Sequence, residues 1–94
     1  MVLVMNRTVI TVVGKDKVGI TAKVCTYLAE NNINILDISQ TIVQGFFNMM
    51  MIVDATEAPK EFDQIIEELD QIGSQIGVRI RAQHEDIFDK MHRI

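Results

Sequence analysis

The chain has 94 residues, room for one hydrophobic core and no more. Its 48% apolar and 23% charged composition, with five Gly and one Pro, is that of an ordered globular domain rather than a disordered tail. A formal charge of −4 repels polyphosphates and argues against nucleic acid as a direct partner.

The opening stretch, Met1 to Met5, is apolar. It is too short for a signal-peptide core and has no basic residue ahead of it, so residues 1–6 read as an N-terminal extension, either frayed or lengthening the first strand. Asn6-Arg7-Thr8 spells a glycosylation acceptor that matters only in a secreted protein. From Arg7 to Val13 the run is largely β-branched and reads as a first strand. A polar turn spans Gly14 to Gly19, and then Ile20, Val24 and Leu28 recur at helical spacing. The spacing predicts a helix over about Val18 to Asn31. Cys25 lies on its inward stripe and has no second cysteine to pair with, which suits a reducing, cytoplasmic setting.

Asn31-Asn32 stops that helix. From Ile33 to Val43, Leu36, Ile38 and Ile42 alternate with Asp37, Ser39 and Thr41, the period of a half-exposed strand. Gln44-Gly45 makes a two-residue hairpin turn into a third strand, Phe46 to Asp54. Pro59, Glu61 and Asp63 mark the start of a second helix, with Phe62, Ile65, Ile66, Leu69 and Ile72 as its buried stripe and Gly73 as its stop. Gly77 turns the chain into a fourth strand, where Val78, Ile80 and Ala82 alternate with Arg79, Arg81 and Gln83. Beyond it, residues 84–94 set Ile87, Phe88, Met91 and Ile94 on one stripe of a short terminal helix, expected to dock on the open sheet or on a neighbouring subunit.

The order strand, helix, strand, strand, helix, strand implies an α+β, ferredoxin-like βαββαβ sandwich, with an antiparallel sheet in the order 4-1-3-2 and both helices on one face. One domain, residues 7–83, contains it. Val12-Val13-Gly14-Lys15-Asp16-Lys17-Val18-Gly19-Ile20 and Leu28-Ala29-Glu30-Asn31-Asn32-Ile33-Asn34-Ile35 closely resemble the opening half of an ACT domain. With Asp37-Ile38-Ser39-Gln40-Thr41, the chain is similar to the stand-alone ACT proteins related to glycine cleavage system repressors. That resemblance implies a small-molecule, amino-acid-binding regulatory domain acting as a homodimer or higher oligomer, without catalytic chemistry or cofactor.

Physical chemistry points to the same place. The turn Gly14, Lys15, Asp16, Lys17, Val18, Gly19, Ile20 presents helix-start amides to an anion, and glycine permits close approach. The plain alternative is a helix N-terminal turn with no ligand. The resemblance adds Asn34, which matches an asparagine that holds ligand in serine-binding ACT domains, whereas Asp16 stands where an amide is usual. A carboxylate there repels an anion and attracts an ammonium. Because a helix intervenes, Asn34 and the turn should lie at opposite ends of parallel strands, to be joined only across a two-fold pairing of second strands.

Rival readings are weaker. Gly14 and Gly19 have P-loop spacing, but Ile20 replaces the required lysine. Gly45-Phe46-Phe47-Asn48-Met49 faintly imitates an RNA-recognition motif, with Asn48 in place of a stacking ring. Glu85, Asp89 and His92 could share a helix face as metal ligands, but with His84 nearby they read better as a solvated polar surface, so no metal site is expected. A protein-interaction module with a vestigial pocket is the alternative function, and no membrane partner is expected.

Overall fold

The computed structural model describes residues 7–84. The expected N-terminal extension, the terminal helix and the acidic group around His92 lie outside these residues. The elements are β1 (Arg7–Lys15), α1 (Ile20–Glu30), β2 (Asn34–Val43), β3 (Phe46–Asp54), α2 (Phe62–Ile76) and β4 (Val78–His84). The strands form one antiparallel sheet in the order β2-β3-β1-β4, which is the expected 4-1-3-2 arrangement.

Register sorts the sheet into two faces. Ile10, Val12, Met49, Met51, Val53 and Ile80 lie on one, packed with Val24 and Leu28 of α1 and Ile65 and Leu69 of α2 into one buried cluster. The other carries Thr11 and Val13 beside Met50 and Asn48 on one side and Arg81 and Arg79 on the other. The Gln44-Gly45 turn takes φ of 50° and 82°, the left-handed pair that lets a two-residue hairpin follow the twist of its strands.

Two boundaries differ from the sequence reading. α1 begins at Ile20, and Val18 is fully exposed in the turn before it. Gly73 does not stop α2: the helix continues to Ile76 and ends at Gly77, whose φ of 78° is the left-handed conformation of a helix C-terminus. Gly73 is buried inside the helix, and a Cβ there would stand 2.6 Å from the Val78 carbonyl oxygen. Its missing side chain is what lets α2 lie against β4.

β2 also departs from expectation. Ile38 and Ile42 pair with Met51 and Phe47, so they point toward the helix layer as the alternation implies. They are nevertheless 42% and 58% exposed, because neither described helix covers this edge fully. A bulge between Ile35 and Asp37 leaves Leu36 exposed as well.

A polar clamp joins the helices. The Tyr27 hydroxyl donates to Glu68 Oε1 at 2.8 Å, Lys60 Nζ donates to the same oxygen at 2.7 Å, and Gln64 donates to the other oxygen at 3.2 Å. Lys60 and then Tyr27 hold the Glu68 carboxyl below its ordinary range, while burial and the Glu68 charge push the Tyr27 phenol far above its ordinary value near 10. Signs follow from linkage. The Glu68 contribution is present above the usual carboxylate range and lost as pH falls through its lowered value; the Tyr27 contribution is intact below pH 10.0 and lost as pH rises beyond it. Tyr27 is the sole tyrosine, so an alkaline titration of tyrosinate absorbance should stay flat through the normal tyrosine range and rise only together with loss of helical circular dichroism. Titration near the ordinary value with the fold intact would contradict the clamp.

Candidate functional site

β1 hands the chain to α1 through Asp16 to Gly19, at the end of the sheet where β2 and β3 make their hairpin. The Asp16 amide is committed there, donating to the Gly45 carbonyl at 2.8 Å. Gly19 precedes the helix at φ 92°, a conformation that costs any other L-residue about 1–2 kcal/mol. No side chain caps α1, so helix geometry leaves the amides of its first turn without intrahelical acceptors, at the positive end of the dipole.

Beside this end is a cavity of about 540 Å³, lined by Asp16, Lys17, Gly19, Ile20, Thr21, Ala22, Gln40, Thr41, Ile42 and Phe47. That volume lies in the range of small-ligand sites. Ile20 and Phe47 are buried beneath it, and Ile42, 58% exposed, gives it an accessible apolar side chain. The Thr21 hydroxyl donates to the Gln40 side-chain carbonyl at 3.2 Å, fastening α1 to β2 across the cavity. The site therefore combines one carboxylate, one ammonium, a set of helix-start amides and a carboxamide over an apolar base.

Of the expected residues, Asp16, Lys17, Gly19 and Ile20 meet here. Gly14 and Lys15 are strand residues, paired with Phe47 and Phe46. Gly14 is needed for packing, since a Cβ would stand 2.7 Å from Val78 Cγ1. Lys17 also lies over the end of α2, its Nζ 2.9 Å from where a Gly77 Cβ would stand, where a cation suits the negative helix terminus. Val18 lies on the outside of the turn. Asn34 pairs with Asp54, whose other partner is Arg7, so within one protomer it sits at the far end of the sheet. Thr21, Gln40 and Thr41 are the lining residues that the sequence reading missed; no motif links positions so far apart.

Among the described residues no group of three His, Cys, Asp or Glu is placed to hold a metal ion, and no helix is long and apolar enough to cross a membrane.

The ACT domain family model matches residues 6–83. A UPF0237 protein of Bifidobacterium longum is 61% identical over 90 residues, covering 96% of this chain and all of the relative. A UPF0237 protein of Methanocaldococcus jannaschii is 50% identical with the same coverage. Among solved structures, an ACT domain protein from Streptococcus pneumoniae superposes with a TM-score of 0.79 at 39% identity, over 93% of this chain and 97% of that one. A putative glycine cleavage system transcriptional repressor shares the fold, with a TM-score of 0.75 at 22% identity over 86% of this chain and 46% of that one. With the βαββαβ sheet and near full-length relatives in both bacteria and archaea, the chain belongs to the ACT domain family of ligand-binding regulatory domains, among its UPF0237 members.

Proposed function

We propose that this protein is a non-catalytic, amino-acid-responsive regulator that works in the cytoplasm as a homodimer. The observation that carries the reading is the cavity between the Asp16–Gly19 turn and Gln40–Ile42. Its two kinds of polar group suit a zwitterion: helix-start amides donate to a carboxylate, and Asp16 attracts an ammonium. Ile42, 58% exposed, offers an apolar surface to a side chain.

The edge strand supports the dimer. Leu36, Ile38, Ile42 and Val43 leave β2 apolar and half-exposed, with its outer backbone edge unpaired among the described residues. Pairing two β2 strands about a two-fold axis covers these residues and brings Asn34 of the partner subunit alongside Val43, next to the cavity. Ligand held there would bridge subunits and stiffen the dimer, and a regulated protein would sense that change.

A thermal-shift screen of the twenty amino acids tests the reading. A ligand that binds only the folded state at a hundredfold excess over its Kd stabilises by about 2.7 kcal/mol, a rise in Tm of about 10–20 °C for a domain of this size. Asn34→Ala should abolish that shift while leaving the dimer's elution volume unchanged. A silent screen would favour the second reading, a protein-interaction module, for which the fully exposed Val18 is the specific observation.

A further inference from the structure

β4 is the edge of the sheet opposite β2, and from Val78 to Ala82 its outer side has no partner strand among the described residues. Val78 and Ile80 point to the helices, and Arg79 and Arg81 stand exposed on the other face. α2 runs beside this edge and sets the exposed Asp63, Glu67 and Asp70 at the i, i+4, i+7 spacing of one helix face. Between helix and strand lies a cavity of about 460 Å³, lined by the three carboxylates and the half-buried Ile66 on the α2 side and by Ile80 to Gln83 of β4. None of the three carboxylates has an ion-pair or hydrogen-bond partner among the described residues.

We propose that the β4 edge docks an extended segment of another protein, basic at alternate positions, as an added strand. Such a strand turns every second side chain toward α2 and the intervening ones toward the face of Arg79 and Arg81. Asp63 and Glu67 are about 6 Å apart along the helix axis, and alternate residues of a strand are about 6.7 Å apart, so two successive helix-facing side chains meet two carboxylates. Lys or Arg fits there, its stem over Ile66 and its charge beside the acids. On the opposite face, directly across from Arg79 and Arg81, a basic side chain is repelled, so the intervening positions are uncharged or acidic. Charge also excludes a second copy. Pairing β4 with β4 sets arginines against arginines on one face and the two acidic rows of α2 against each other on the other. β2 of another copy contains no basic residue and leaves the carboxylates unanswered. This docking edge goes beyond the amino-acid site, lies across the sheet from β2, and stands or fails apart from it.

Two fluorescein-labelled peptides of equal composition and charge test it on the full chain by anisotropy at low salt: an alternating Lys-Thr-Lys-Val-Lys-Thr-Lys and its block isomer Lys-Lys-Lys-Lys-Thr-Val-Thr. The alternating peptide should bind about tenfold tighter than the isomer. Combining Asp63→Asn, Glu67→Gln and Asp70→Asn should weaken it by about tenfold, the sum expected of a few exposed ion pairs, with far-UV circular dichroism unchanged. Glu67→Gln alone, an exposed change in the middle of α2, should act in the same direction. Bound peptide should also slow amide exchange in β4 between Val78 and Ala82. Equal affinity for the two peptides, no binding of the alternating one, full affinity in the triple variant, or protection that appears along β2 instead of β4 overturns the proposal.

Discussion

Gly73→Ala is expected to destabilise the fold by about 2 kcal/mol, opposite in sign to helix propensity. In an exposed helix interior the change would gain about 1 kcal/mol, because alanine loses less backbone freedom on folding. At Gly73 the new methyl would sit 2.6 Å from the Val78 carbonyl oxygen and 3.2 Å from Ile80 Cγ1. The nearest atom is backbone, so relief requires α2 to shift off β4, and overpacking of this kind costs about 1–3 kcal/mol or more. Tm should fall by on the order of 10 °C. Ser74→Ala, one position on and exposed, should leave Tm unchanged or slightly raised. Equal responses at the two positions would show that α2 is not seated against β4 by a missing side chain. Gly14→Ala meets the same Val78 from the neighbouring strand, so its cost should not add simply to that of Gly73→Ala.

A second large effect is expected at the β2 edge. Ile38→Lys combined with Ile42→Lys should convert the proposed dimer to a monomer while leaving each protomer folded. Both side chains are already about half-exposed in the protomer, so folding loses little. In the proposed β2-to-β2 dimer each would be buried twice by symmetry, at roughly 1.5–3 kcal/mol per side chain. Even one substitution should then weaken association by about a hundredfold or more. Sedimentation equilibrium reads the association, and far-UV circular dichroism reads the fold. A double variant that remains dimeric would move the interface away from β2.

These two regions also mark where the sequence was and was not legible. The hairpin could be read from Gln44-Gly45 because two adjacent left-handed residues have few chemical solutions, and the structure has φ of 50° and 82° there. Gly73 could not. A glycine near the end of an amphipathic stripe looks the same whether it stops a helix or admits a neighbouring strand, and only the approach of Val78 decides between them. On β2 the alternation correctly assigned Ile38 and Ile42 to the helix side, but periodicity says which way a side chain points and not whether anything covers it. Of the cavity lining, Asp16, Lys17, Gly19 and Ile20 could be grouped from the sequence because they adjoin one turn. Thr21 and Gln40 could not, because their meeting depends on how α1 crosses β2. Gly14 was assigned to ligand approach, whereas contact with Val78 explains its lack of a side chain.

The seam between subunits is tested most directly by mixing two defective dimers. Asp16→Lys spoils the turn, and Asn34→Ala spoils the far end of β2; each variant alone should dimerise and show no amino-acid-induced thermal shift or calorimetric heat. If each site takes its turn from one subunit and its asparagine from the other, random exchange leaves every mixed dimer with one intact site, about a quarter of all sites. Calorimetry on the exchanged mixture, using the amino acid that gives the largest wild-type shift, should recover about that fraction at wild-type affinity. A mixture that exchanges subunits and still binds nothing would contradict a site shared between two copies.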